Sequence, residues 1–462
     1  MKPHKNSRHE VEITAVTAKG FGIAHLGDFI VFVDGAITGD KILAHIVKVK
    51  PRYAYGKIVE ILSPSPHRVQ SPCAVSAQCG GCQFMHCDYP AQLEIKKDTV
   101  KSAIEKIGGI SNPPVFDVKK HPSDPPFRYR NKAVFPIAPT VQNEVVSDTN
   151  HFDSFAIGMY APRSHRLVEV SDCIIQHEAH VSVLAALKAH MRRHKISAYN
   201  ETAHQGCVRH IVVRTSLHTG EVMAVLVVRE HFPAAHEFAA ALGEAGVSTV
   251  LLNRNTSRTN TIFGDVFETL TGSGFICEKI GEIEYKISAP SFFQINPAQT
   301  KILYETAIEM AGLSGEAPHR TVIDAHCGTG GIALFAAKHA ARVIGVDIAP
   351  SSILDARENA ERNGISNAEF ICGAAEEILP DMITGSEIVF LDPPRKGCDP
   401  VLLDALIAAQ VPRIVYISCD PATLARDIKC LTQGGFTLTA VSPVDMFPFT
   451  GKVECVAVLE RA

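Results

Sequence analysis

From Thr321 to Leu459 the chain alternates short hydrophobic runs with helical stretches, and this alternation restricts the fold more than any other feature. Strands are expected at Thr321–Ala325, Arg342–Asp347, Ala368–Cys372, Glu387–Leu391, Arg413–Ser418, Phe436–Ser442 and Val453–Leu459. Helices are expected at Ile332–Ala341, Pro350–Asn363, Pro400–Ala409 and Pro421–Leu431. Strand–helix alternation builds a doubly wound, Rossmann-like α/β domain, here ending in a β-hairpin. Such sheets bind ligands at the carboxyl ends of their strands. The loop Cys327-Gly-Thr-Gly-Gly331, Asp347, Asp392 and Cys419 all follow strands. Glu454 opens its strand, so it reaches the same edge if that strand is antiparallel.

The rest of the chain has a different texture. Residues 1–62 read as short strands between glycine turns, among them Glu10–Val16, Phe29–Val33, Lys41–Val49 and Gly56–Leu62. That spacing predicts a small barrel of the oligonucleotide-binding kind. Ser63-Pro-Ser-Pro-His-Arg-Val-Gln-Ser-Pro72 is a rigid linker. Cys73-x5-Cys79-Gly-Gly-Cys82 and a helix over about Tyr89–Ile107 come next. Residues 127–290 read as strand-rich, with no helical repeat. The division is three-part: a barrel over 1–62, a central domain over 63–285 and the α/β domain over 286–462.

Composition narrows the setting. Hydrophobic residues are 46% and charged residues 20% of 462, a soluble balance, and no apolar run approaches the ~20 residues of a membrane span. The polar start gives no secretion signal, and thirteen cysteines without one point to thiols or metal ligands in a reducing, cytoplasmic compartment. The net charge is −4, yet residues 1–62 carry nine Lys/Arg against six Asp/Glu, a local basicity suited to phosphate.

Cys419 ends a hydrophobic run, and Asp420-Pro421 starts a helix directly after it. A helix N-terminus favours thiolate over thiol, and a lone cysteine there reads either as a nucleophile or as a small buried hydrophobe. Asp324-x3-Gly328-x-Gly330-Gly331 lets a backbone approach a cofactor closely, and Asp347 can accept from ribose hydroxyls. The pattern alone does not separate NAD from S-adenosylmethionine. Pro393-Pro394 stiffens the loop that aims Asp392. Cys73, Cys79 and Cys82 need a fourth ligand, Cys87 or Cys173, and four cysteines accept either zinc or a 4Fe–4S cluster. Cys327, Cys372, Cys398, Cys430 and Cys455 lack such context and read as packing.

Taken with Tyr129-Arg-Asn-Lys132, Ser291-Phe-Phe-Gln-Ile-Asn296, Asp392-Pro-Pro-Arg395, Ser418-Cys-Asp-Pro-Ala-Thr-Leu-Ala-Arg426 and the Phe-Pro-x-Thr-x2-Val-Glu ending, these motifs resemble the RNA uridine-5-methyltransferase family over nearly the whole chain. The resemblance implies an N-terminal TRAM domain, Cys419 as nucleophile and Glu454 as base. It implies Gln294, His326, Asp347 and Asp392 around S-adenosylmethionine and the uracil, and a 4Fe–4S cluster on Cys73, Cys79, Cys82 and Cys173. His326, Gly331, Asp420 and Lys452 depart from the residues usual in that family. Ribosomal RNA is the expected substrate, with Arg128, Arg130 and Lys132 as candidate contacts; transfer RNA is the alternative. Competing readings are a cytosine-5 methyltransferase, an RNA-binding assembly factor with a vestigial pocket, and an NAD oxidoreductase that would leave Cys419 and Glu454 without a task.

Overall fold

In the computed structural model, which describes residues 3–140, 154–314, 320–385 and 387–461, the first strands close on themselves. β1 (Arg8–Val16), β2 (Phe21–Leu26), β3 (Phe29–Asp34), β4 (Lys41–Val49) and β5 (Tyr53–Ser63) form a barrel in the order β1-β2-β3-β5-β4. Period-two alternation fills it: Ile42, Ala44 and Ile46 from β4 meet Val31 and Val33 from β3. The proline-rich linker is docked on this barrel, because buried Asp40 accepts from Ser65 N (2.9 Å) and Arg68 Nε (3.0 Å).

Helix α1 (Tyr89–Ala103) is capped by Asp88, whose side chain accepts from Ala91 N at 2.9 Å. The helical stretch continues as a π-turn over Ile104–Gly108. Buried Lys96 on α1 pairs with buried Asp445, which fastens the helix to the far end of the chain.

Residues 127–290 are strand-rich, as expected, but two helices that no helical repeat announced lie among the strands. The region contains β6 (Lys132–Pro139), β7 (Phe155–Tyr160), β8 (Leu167–Glu169), α2 (Ala179–Arg193), β9 (Val208–Thr215), β10 (Val222–Val228), α3 (Ala235–Glu244), β11 (Thr249–Arg254) and β12 (Val266–Thr271). The strands make one sheet, β12-β11-β10-β9-β6-β7-β8. Val183, Leu184, Leu187 and Met191 give α2 its apolar face, a helical spacing diluted by histidines and alanines. The two helices cover one face of the sheet. On the other face Val212, Met223, Val225 and Leu251 join the core of the C-terminal domain. Every residue of β10 is buried, because it lies between these layers.

A hairpin, β13 (Phe275–Ile280) and β14 (Ile283–Ser288), leads into α4 (Pro297–Met310). It belongs with the C-terminal core: Glu284 N and Lys286 N donate to Asn363 and Asn359, each at 2.8 Å. Then follow β15 (Thr321–Asp324), α5 (Gly331–Ala337), β16 (Arg342–Asp347), α6 (Pro350–Arg362), β17 (Ala368–Cys372), α7 (Ala375–Ile378), β18 (Ile388–Leu391), α8 (Pro400–Ala409), β19 (Arg413–Ser418), α9 (Pro421–Gln433), β20 (Phe436–Val444) and β21 (Glu454–Arg461). The sheet order is β17-β16-β15-β18-β19-β21-β20. Its first five strands are parallel, and β21 runs antiparallel between β19 and β20. Among the described residues, no helix is long and apolar enough to cross a membrane.

Candidate active site

The antiparallel β21 brings the thiol and the carboxylate together. Ser418 pairs with Cys455, so the next residues outward, Cys419 and Glu454, stand opposite each other at the sheet edge. Cys419 is partly exposed and lines a groove of about 1150 Å³. It precedes α9, whose cap Asp420 accepts from Ala422 N (2.9 Å) and Thr423 N (3.2 Å). In the free protein the thiol does not sit low: burial and the charge of Glu454 push it up, while the Arg395 guanidinium beside it pulls it down. Arg395, in the loop of Asp392, supplies the positive charge, a role the sequence reading did not give it.

Glu454 is 4% exposed. Burial, then the charge of Asp392, push its carboxyl well above the usual range, with Arg395 and Lys452 opposing. Asp392 itself is raised to about 7 by burial. Asp324, fully buried at the end of β15, is raised to about 8 by burial and by Asp392. Cys419, Glu454, Asp392, Arg395 and Lys452 are thus one electrostatic group.

The glycine loop lies beside it. Gly330, the residue just before α5, has φ +86°, a conformation side chains rarely adopt. Gly331 is crowded, since an added Cβ would meet the Tyr304 hydroxyl at 2.5 Å, and its carbonyl accepts from Tyr285 at 2.7 Å. Asp347, at the end of β16, accepts from Gly328 N (3.0 Å) and Ala349 N (2.8 Å), which fixes the loop against the second strand. His326 lies next to Asp347, with a buried Nδ1 that makes no hydrogen bond; burial lowers its pKa. Gln294 is buried in the loop before α4, held through its backbone carbonyl by Asn131 Nδ2 at 3.0 Å.

Cys73, Cys79, Cys82 and Cys173 line a second cavity, of about 550 Å³. Cys87 does not join them; it is buried in an apolar cluster with Ile37, Phe84 and Ile95. Cys173 is placed by α2, where its N–H donates to His180 Nε2 at 3.0 Å. Burial and the three neighbouring thiols push Cys82 up to about 12. Arg130 and Lys132 also line this cavity, and Arg128 is paired with Asp172 at 2.6 Å, which sets all three beside the thiols. Of the other cysteines, Cys327, Cys398 and Cys455 are buried, Cys430 is partly so, and Cys372 is exposed.

The larger groove joins the parts. Lys19, Phe21 and Lys57 of the barrel, Arg163, Cys79, Gly80 and Cys82 all line it together with Cys419 and Lys452.

Residues 4–59 match the TRAM domain model and residues 266–462 match the tRNA (Uracil-5-)-methyltransferase model. An uncharacterised RNA methyltransferase of Halalkalibacterium halodurans is 41% identical over 99% of this chain and 98% of its own. One from Gloeobacter violaceus is also 41% identical, over 98% of this chain and 96% of its own. The Pyrococcus abyssi tRNA (uracil-54, C5)-methyltransferase, solved with S-adenosyl-L-homocysteine, superposes with TM-score 0.76 at 27% identity, covering 97% of this chain and 99% of that one. The chain belongs to the RNA uracil-5-methyltransferase family of S-adenosylmethionine-dependent enzymes and carries a TRAM domain.

Proposed function

We propose that this enzyme methylates carbon 5 of a uridine through a covalent adduct on Cys419. The placement of Cys419 opposite Glu454 carries the proposal. Carbon 5 of uracil is a poor nucleophile until a thiolate adds to carbon 6 and leaves an enolate. The enolate's carbon 5 then attacks the sulfonium methyl, and the C–S bond electrons leave with S-adenosylhomocysteine. Glu454 takes the proton still on carbon 5, the C5–H bond electrons restore the C5–C6 double bond, and Cys419 departs as thiolate with the electrons of the C6–S bond. A high-pKa carboxylate is a strong base once ionised, and Arg395 and Lys452 favour that ionisation. Gln294, His326, Asp347 and Asp392 surround the cofactor and uracil in this reading.

The target uridine must leave its stack to meet the thiol, which favours a loop or single strand. Aromatic rings on the barrel, Phe21, Phe32, Tyr53 and Tyr55, lie within 5.8 Å of their neighbours and offer a stacking surface, with Arg163 over Phe21 at 5.3 Å. The barrel (1–62), the cysteine-bearing central domain (63–285) and the catalytic domain (286–462) act here as one RNA-binding unit around the groove.

Cys73, Cys79, Cys82 and Cys173 fit a 4Fe–4S cluster, which would supply a structural cross-link between the cysteine loop and the start of α2. A cytoplasmic setting is part of this reading, since cysteines there serve as thiols or metal ligands. Ribosomal RNA is the proposed substrate, by likeness of the barrel-plus-cysteine arrangement to the ribosomal branch. Transfer RNA is the second reading, favoured by the Pyrococcus abyssi neighbour, whose named target is tRNA uracil 54.

RNA with 5-fluorouridine at the target, given S-adenosylmethionine, tests the mechanism. Fluorine cannot leave as a proton, so the adduct should persist on Cys419. No adduct with active enzyme rejects the covalent route. Mapping 5-methyluridine in rRNA and tRNA with and without the gene decides the target.

A further inference from the structure

His190 and His194 lie one turn apart at the end of α2, and Glu237 faces them from the first turn of α3. One donor atom from each lies within 4.8 Å of the other two. His194 Nε2 is buried, makes no hydrogen bond, and stands 3.5 Å from Glu237 Oε2. His190 is 6% exposed, and its Nε2 lies 3.1 Å from the Pro233 carbonyl. A carbonyl only accepts, so Nε2 carries the proton and Nδ1 keeps a free lone pair. A second ring nitrogen bonded to a backbone carbonyl is how metal-binding histidines are usually oriented. Phe232 and Phe238 wall the His190 ring at 5.2 Å. Arg193 lies 2.7 Å from Oε1 of Glu237, and the other oxygen, Oε2, is the one nearest His194.

We propose that His190, His194 and Glu237 form a site for one divalent cation of the zinc type, separate from the cysteine cage. Two imidazoles and a carboxylate suit zinc, cobalt or nickel and not the all-oxygen preference of calcium or magnesium. Donors at about 2.1 Å from a tetrahedral ion stand roughly 3.4 Å apart, close to the His194–Glu237 separation. His190 supplies the third donor, within 4.8 Å of the other two, and the fourth position is left to water. The ion would join the end of α2 to the start of α3 and brace the helical layer that positions Cys173 from the other end of α2.

Zinc is titrated into protein whose cysteine cage is already loaded, with bound zinc counted by elemental analysis and its neighbours read by X-ray absorption. One zinc per chain with a nitrogen/oxygen shell is expected. H194A and E237Q should each weaken binding at least tenfold and abolish the zinc-induced rise in unfolding temperature. Glu237 is exposed, so metal-free E237Q should unfold at the wild-type temperature, which separates loss of the site from loss of the fold. No bound zinc, a sulfur shell, or undiminished binding in both variants overturns the proposal.

Discussion

Glu454 stands across the sheet from Cys419, one step beyond the Ser418–Cys455 pair, because β21 runs against β19. The two groups are close enough that the charge of Glu454 helps to raise the Cys419 thiol. The base and the nucleophile can then be separated by substitution. Cys419→Ala should form no adduct and lose turnover entirely. Glu454→Gln should lose about 10²–10⁴ in rate yet accumulate the RNA adduct, visible as a shifted band on a denaturing gel. A Glu454→Gln enzyme that turns over normally would remove this residue from the mechanism.

The pH profile follows from the shifts. The thiol of Cys419 and the carboxyl of Glu454 are both raised, and each acts in its deprotonated form. Activity should therefore climb from pH 6 towards pH 9, and Arg395→Gln should move the rise to higher pH by removing the charge that favours both anions. Single-turnover rates across that range provide the check.

Cys82 and Cys87 give a paired test of the cage. Cys82→Ser removes a thiol from the cavity shared with Cys73, Cys79 and Cys173 and should abolish iron binding. Cys87→Ser places a hydroxyl among Ile37, Phe84 and Ile95, costing about 1–3 kcal/mol while iron content stays at the wild-type level. Iron and sulfide analysis of both variants distinguishes the two positions.

Asp324 makes stability depend on pH. Its folded pKa is near 8 against an unfolded value near 3.8, so the unfolded chain loses its proton first. The native state binds the extra proton between those values, and stability falls as pH rises through that window. Asp324→Asn should therefore gain on wild type from pH 5 to pH 8, by roughly 3–4 kcal/mol at about 1.4 kcal/mol per pH unit. Denaturant titrations at both pH values would show it.

Gly451 is where the barrel touches the catalytic loop. An added Cβ would lie 1.6 Å from the Ala18 carbonyl, and Gly451 N donates to Gln83 Oε1 at 3.4 Å. Gly451→Ala should push the barrel away and weaken RNA binding several-fold, while S-adenosylhomocysteine binding stays within twofold. Filter binding and calorimetry measure the two separately.

The edges of β16, β17, α8 and β19 coincide with the sequence expectation, because hydrophobic periodicity and nearby turn or helix-start residues such as Gly373, Pro400 and Asp420-Pro421 are local signals. The same local logic placed the glycine loop, Asp347, Asp392 and Cys419 after strands. Helices α2 and α3 escaped it, since alanine and histidine blur an apolar stripe that only the sheet beneath makes necessary.

The residue types, their order and the strand-end positions were set by the chain itself, through hydrophobic period and turn chemistry. The tertiary structure decided three things: the antiparallel register of β21, on which the expected meeting of Glu454 with Cys419 depended; the choice between Cys173 and Cys87, which the residues left open and only the resemblance preferred; and the placing of Arg395 against the thiol, which was not expected. Each depends on pairing or burial between segments far apart in sequence, and the charge states follow from that burial, which no local pattern encodes.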